Sequence, residues 1–559
     1  MHTSAHVAGA PASVPTVDVL VVGAGITGIY QLYRARQEGY SALLVEAGTG
    51  VGGTWYWNRY PGARFDSESY TYGYLFSEEL FDEWEWQEHF AAQPETERYL
   101  NHVVDRFDLR GLMRFDARVT AASYDDVAGR WTVITRGEHG DEPAISARFL
   151  IAATGVLSVP YVPDIPGQAE FEGEAYHTGL WPASAVDFTG KRVAVVGTSS
   201  SGVQVVPAIV DEVASLTVFQ RTANWCTPLN NAAITSDEQR QLRSGFEQLR
   251  ETLNTSVHGF HHPPHDRAAF DDTEDERGRF YEQMWNSPGF TKLTSNYLDL
   301  LSNPDANAEW CAFIAAKIRE IVHDPETADR LIPKDQRFGE KRPPFVTGYF
   351  EAFNRPNVTL VDLSETPMVR VTPGGIETAD GVSEFDIIVW ATGFDFGTGA
   401  LLRMGIEGRD GVPLAEYWRD GPRTFLGVQT HGFPNLFFPG GPHAAAGNNP
   451  RYNSDQADFI TDVLVYARAH DTDIIEVTER AEERWTNMVN RGASSPLSFG
   501  ESSYYFGTNI PGKPKRYLLN SAGRPKLFSV IADAVANDYD AFTFSKAQAP
   551  APSASAAAR

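Results

Sequence analysis

Three glycines in Gly23-Ala-Gly25-Ile-Thr27-Gly28 carry the first recognisable chemistry of this chain. Lacking Cβ atoms, they let a backbone turn approach a pyrophosphate, and a helix starting there presents NH groups and a positive dipole to the same anion. Glu46, 18 residues past Gly28, stands where an acid accepts ribose hydroxyls. A second turn, Gly197-Thr198-Ser199-Ser200-Ser-Gly202, followed by Gln204, has the same frame with serine at its middle position. Where the acid would follow, it has Arg221 and Thr222. A cation there suits the 2′-phosphate of NADPH and deprives NAD of its usual partner. The bland alternative for this second unit is an ordinary helix-sheet turn with a surface arginine.

Such turns need a buried strand before them and a helix after them. Residues 17–22 and 192–196 are short β-branched apolar runs, the pattern of strands buried on both faces. Helices are expected over 29–39 and 203–214, and second strands over 42–45 and 216–219. Two further apolar strands end in Ala-Thr-Gly, at 153–155 and 391–393. Two dinucleotide units on one chain imply one flavin and one nicotinamide donor, hence a flavin oxidoreductase. The fold class expected is α/β, with two Rossmann-like domains and a helical insertion. The FAD domain is discontinuous, over 17–155 and 390–545; the NADP domain covers 156–230 and 334–389. Residues 231–333, with long charged runs of helical spacing, form the insertion. Residues 1–16 and 546–559, rich in Ala, Pro, Ser and Thr, are expected to be disordered tails.

Composition narrows the activity. With 559 residues and 42% apolar side chains the chain can bury large cores, and a formal charge of −26 disfavours nucleic acid and anionic membrane surfaces. No apolar run reaches the roughly 18 residues needed to span a bilayer, and the first 16 lack a signal peptide's pattern, so a cytoplasmic location is expected. The two cysteines, Cys226 and Cys311, lie in unrelated contexts. A disulfide reductase needs a cysteine pair beside its flavin, so electrons must go to oxygen or to a small molecule. The histidine run His258, His261, His262, His265 invites a metal reading, but Gly259, Pro263 and Pro264 prevent the helix that would gather it on one face. No metal is expected.

The string Phe171-Glu-Gly173-Glu-Ala-Tyr-His177-Thr178-Gly-Leu-Trp181-Pro182 matches the FxGxxxHTxxWP fingerprint of the type I Baeyer–Villiger monooxygenases, and the chain resembles that family over nearly all its length. The resemblance implies FAD, NADPH and O₂, with one oxygen inserted beside a ketone carbonyl through a C4a-peroxyflavin to give an ester or lactone. It implies Arg342, in Gly339-Glu-Lys341-Arg342, as the fixed cation of catalysis, and Asp66, in Tyr60-Pro-Gly-Ala-Arg64-Phe-Asp66, as the carboxylate that orients it. Outside the family frame, a Lys-Arg pair reads as a solvated surface patch. Lys341 joins Arg221 and Thr222 at the 2′-phosphate. Arg64, Gly53, Thr54, Trp55, Trp57, Tyr72 and Val119 fall on cofactor-contacting motifs. Residues 503–513 resemble the SWYxGxNxPGK loop, with Tyr504 in place of tryptophan. His177, as a linker histidine, is read as coupling domains rather than as an acid or base. Alternatives are a flavin monooxygenase that oxidises nitrogen or sulfur and a non-catalytic flavin-bound module. The ketone, the selectivity and the oligomeric state are not legible.

Overall fold

The computed structural model describes residues 14–444, 446–492 and 503–547. The expected tails fall almost wholly outside them, although Thr16 opens the first strand, Thr16–Val22.

Two parallel sheets organise the chain. In the first, Thr16–Val22 lies between Ala42–Val45 and Ile145–Ala152, pairing Val22 with Val45 on one side and with Ala152 on the other. The sheet is widened by the antiparallel strands Arg130–Gly137 and Arg118–Asp125. In the second, five parallel strands run in the order Val358–Asp362, Ser215–Gln220, Arg192–Val196, Ile387–Trp390, Glu174–His177. Val19, Leu20, Val21, Val193, Ala194 and Val195 are fully buried, which explains their unbroken apolar runs. In each sheet the strand that leads into a glycine turn, Thr16–Val22 or Arg192–Val196, is flanked on both sides, so a crevice opens at its carboxyl end, where such folds bind ligands.

Helices begin directly at the glycine turns, at Ile26–Gln37 and Ser200–Ile209, three residues earlier in each case than apolar spacing indicates. The turn residues themselves supply the first helical turn. The segment 231–333 is helical, including Ser236–Ser244, Phe246–Thr255, Glu274–Asn286 and Pro304–Ile321. The first of these is opened by a Thr235/Glu238 capping box, which satisfies otherwise orphaned NH groups. This segment makes no core of its own. Phe246 and Leu253 pack into the core of the first sheet, and Tyr281, Trp285, Trp310 and Ile314 into that of the second. It therefore spans both units rather than decorating the NADP side alone. Among the described residues no helix is long and apolar enough to cross a membrane.

Candidate active site

One cavity of about 1340 Å³ runs from the first glycine turn to the second. It exceeds the roughly 300–1,000 Å³ of a pocket for one small ligand and has room for two dinucleotides. At the end of the first turn stand Gly23, Gly25, Thr27, Glu46, Gly53, Thr54, Trp55, Trp57, Tyr72 and Val119; at the other, Gly197, Thr198, Ser199, Ser200, Gln204, Arg221, Thr222 and Lys341. Gly28 and Gly202 lie beneath their turns, where a Cβ would fall 1.9 Å from Gly23 O and 2.0 Å from Gly197 O. Glycine at these positions lets each helix start tight against its turn, which leaves the backbone of Gly23, Gly25 and Gly197 to line the cavity.

Glu46 is buried and accepts from the Ala24 NH and the Gly48 NH, both at 2.7 Å. Glu46 also lines the cavity. Trp55 donates its indole NH to the Tyr72 hydroxyl at 2.9 Å, and Tyr72 stacks on Phe65 at 4.4 Å, so the wall beside the first turn is an interlocked aromatic set. Asn453 donates to the Thr27 hydroxyl at 2.7 Å. At the other end, Thr198 donates its hydroxyl to the Thr222 carbonyl at 3.2 Å, closing the turn onto the second strand. Among the described residues neither Arg221 nor Lys341 pairs with a carboxylate. Burial, and next the Arg221 charge, lower the Lys341 pKa, as expected of a partly buried ammonium beside a second cation.

The centre of the cavity joins the two units. Arg342 forms an ion pair with Asp66, and its other terminal nitrogen lies 3.4 Å from the Ser200 hydroxyl. The guanidinium sits 5.0 Å over the Phe290 ring, a contact that sequence motifs do not announce because Phe290 lies in the helical segment. Burial pulls against the Arg342 charge, but Asp66 and the Tyr504 hydroxyl push the other way, and its pKa is raised. Arg64 pairs with Glu88 at 3.0 Å, and Gln204 donates to the Arg64 carbonyl at 3.0 Å while accepting from the Tyr60 hydroxyl at 2.8 Å. These bonds clamp the helix of the second turn onto the loop that carries Asp66. Tyr504 lines the cavity and packs edge-on against Phe396 at 5.3 Å. Lys513, at the end of the same loop, pairs with Asp395 at 2.7 Å.

The fingerprint residues stand apart. Phe171, Gly173, His177, Thr178, Trp181 and Pro182 do not line the cavity. A Cβ on Gly173 would meet Asp386 O at 2.5 Å, so glycine allows the linker to lie against the second sheet. His177 ends the edge strand opposite Trp390. Its Nδ1 accepts from the Gly179 NH at 2.9 Å and its ring meets Phe394 edge-on at 5.8 Å. Burial lowers its pKa. Thr178 donates to the Ser201 hydroxyl at 3.1 Å, and the Trp181 NH bonds Trp57 O at 3.1 Å. The string therefore ties the second glycine turn to the flavin-side loop.

The histidine run is not helical, as its glycine and prolines require, yet His261 and His262 are gathered with Glu68 by tertiary packing, a scaffold that local spacing does not reveal. Cys226 is buried and Cys311 partly so, both free.

A family model described as pyridine nucleotide-disulphide oxidoreductase matches residues 20–276. The 2-oxo-Δ3-4,5,5-trimethylcyclopentenylacetyl-CoA monooxygenase of Pseudomonas putida is 42% identical over 94% of this chain and 98% of its own length. The acetone monooxygenase (methyl acetate-forming) of Gordonia sp. strain TY-5 is 39% identical over 95% and 100%, and the phenazine N-monooxygenase PhzNO1 of Lysobacter antibioticus 38% over 94% and 96%. A crystal structure of OTEMO in complex with FAD and NADP superposes with a TM-score of 0.91 at 41% identity, covering 95% of this chain and all of that one. With identities of this size over nearly whole chains, and with two glycine turns meeting at an Arg-Asp pair, the chain belongs to the Baeyer–Villiger monooxygenase family of flavoprotein oxidoreductases.

Proposed function

We propose that this protein inserts one oxygen atom from O₂ beside the carbonyl of a ketone, giving an ester or lactone, with FAD and NADPH as cofactors. The observation that carries the reading is the Arg342–Asp66 pair at the meeting point of the two glycine turns. When bound, NADPH supplies the electrons and FAD delivers them to O₂.

The flavin belongs to the unit of residues 17–155 and 390–545, and NADPH to that of 156–230 and 334–389. At the first turn the backbone would cradle the pyrophosphate and Glu46 would accept from the ribose. Arg221, Lys341 and Thr222 would hold the 2′-phosphate by charge-assisted hydrogen bonds. Arg342 remains a cation at any working pH and has no proton to give away, so its NH groups stabilise negative oxygen as the ketone is attacked. Asp66 holds the guanidinium plane and thereby aims those donors. The Phe290 face beneath it keeps water off one side. His177 couples the linker to both units and takes no part in proton transfer.

The names of the Pseudomonas and Gordonia relatives point to ketones as the substrate class. The phenazine N-monooxygenase name supports a second reading, oxidation of a ring nitrogen on the same scaffold. Both readings are tested by offering the flavin-loaded protein a panel of linear, aromatic and cyclic ketones and N-heterocycles with NADPH and O₂. Mass spectrometry should find esters or lactones one oxygen heavier than their ketones; N-oxides alone would overturn the first reading. The free, buried or half-buried thiols and the net charge support a reducing compartment such as the cytoplasm, with no nucleic-acid partner.

A further inference from the structure

Outside the cofactor cavity the described residues contain one gathering of metal-ligating side chains, Glu68, His261 and His262, whose ligand atoms all lie within 4.8 Å of one another. The Glu68 side chain is 2% exposed, that of His262 4% and that of His261 30%. The three come from different places. Glu68 lies two residues after Asp66 on the flavin-side loop, and the histidines come from the non-helical stretch between Phe246–Thr255 and Glu274–Asn286.

The hydrogen bonds around the three side chains turn their inner atoms towards one another. The Thr294 hydroxyl donates to the Phe290 carbonyl at 3.0 Å, so towards His262 Nδ1, at 2.8 Å, it can only accept. His262 Nδ1 therefore carries its hydrogen, and its Nε2 points at Glu68 Oε1, 2.7 Å away. Two acceptor atoms then face each other unless a second proton or a metal cation lies between them. The other carboxylate oxygen, Glu68 Oε2, and His261 Nδ1 are both buried without a hydrogen-bond partner, 3.9 Å apart. The far nitrogen of His261 lies 3.4 Å from the Tyr70 hydroxyl. Each imidazole thus has its outer nitrogen beside a hydroxyl and its inner nitrogen turned to the carboxylate, the arrangement that orients histidine ligands on a metal.

We propose that Glu68, His261 and His262 form a binding site for a divalent transition-metal ion, Zn²⁺ in the first instance. Bonds of about 2.0–2.1 Å in a tetrahedron separate ligand atoms by about 3.3 Å, and the 2.7 and 3.9 Å spacings bracket that value. Two imidazoles and one carboxylate suit zinc, whereas calcium and magnesium prefer oxygen cages. The partly exposed edge of His261 supplies the way in. The ion ties the helical segment to the Asp66 loop. The His262 ring stacks on Phe260, and Phe260 on the Phe290 ring that underlies Arg342, so binding stiffens the wall of the active site without touching the reacting atoms.

The full-length, flavin-loaded protein, stripped with a chelator, is titrated with Zn²⁺ against a chromophoric competitor. The wild type should take up one Zn²⁺ per chain and gain thermal stability. His261→Ala and Glu68→Gln should each bind at least tenfold more weakly with an unchanged flavin spectrum, while His265→Ala, just outside the cluster, binds as the wild type does. Zinc-edge X-ray absorption of the wild type, which needs no variant, should report nitrogen and oxygen neighbours with two imidazoles. Absence of stoichiometric binding, or equal binding by His261→Ala, or an absorption spectrum without imidazole, would overturn the proposal.

Discussion

The two glycine turns of this protein are almost copies in backbone and differ in what surrounds them. Gly23 and Gly197 both adopt positive φ, +106° and +113°, and a Cβ on either would meet a carbonyl of the neighbouring Ala-Thr-Gly turn, Ala153 O at 2.7 Å or Ala391 O at 2.4 Å. The middle positions part company. Gly25 is roofed by Gly53, whose Cα is 3.4 Å from where a Gly25 Cβ would stand, whereas Ser199 is exposed to the cleft. The charges behind them part company too, since Glu46 is buried and tied to two backbone NH groups while Arg221 is exposed beside Lys341. Packing against the neighbouring strand dictates the turn, while the covering loop and the side chain after the second strand give each turn its own surroundings.

The largest effects should come from the shared backbone and should split by cofactor. Gly23→Ala and Gly197→Ala each force an L-residue to positive φ and into a carbonyl, a cost of roughly 3 kcal/mol or more. Gly23→Ala should yield protein without bound flavin, and Gly197→Ala a yellow protein that NADPH no longer reduces, as absorbance at the flavin band will show. Interchanged outcomes would reverse the cofactor assignment of the two units.

Arg342→Ala tests the place where the units meet. Loss of a preorganised donor to a developing anion costs about 3 kcal/mol, on the order of a hundredfold, and loss of the charge adds to it. Ester formation should fall below detection with the flavin still bound, and Arg342→Lys should restore no more than a trace because a lysine lacks the planar fork. Asp66→Ala should show a milder loss in the same product assay.

Arg221→Ala and Lys341→Ala sharpen the difference in charge. Each removes a charged hydrogen bond worth about 1.5–3 kcal/mol, so the KM for NADPH should rise about ten- to a hundredfold while that for NADH stays nearly level. Equal use of the two donors by the wild type would remove the 2′-phosphate from these residues. His177→Ala should lower the yield of ester per NADPH consumed without displacing the pH profile of any single step; a shifted profile in rapid-mixing traces would make it an acid or base.

The smallest effect belongs to the middle position. Ser199→Gly should change the KM for NADPH by less than about threefold, since the exposed serine meets no roof and its NH remains in place. Gly25→Ala must displace Gly53 by a few tenths of an ångström and should weaken flavin retention measurably.

Much of this molecule follows from local chemistry. A buried parallel strand needs an unbroken apolar run, and a turn that abuts a phosphate needs glycine, so the strands around 17–22 and 192–196 and both glycine turns are readable from residue type and spacing. The meeting of Asp66 with Arg342, 276 positions apart, is not local, and only the family frame points to it. The helical segment shows the opposite limit. Its helices are legible from charge and apolar spacing, but their division between two cores depends on which surfaces those cores leave uncovered. Phe290 beneath the guanidinium and the approach of His261 and His262 to Glu68 are likewise products of packing between distant segments. A helix-breaking Gly259 and Pro263-Pro264 speak about the backbone between the histidines, whereas a ligand set is defined by where side chains end, which tertiary contacts alone decide.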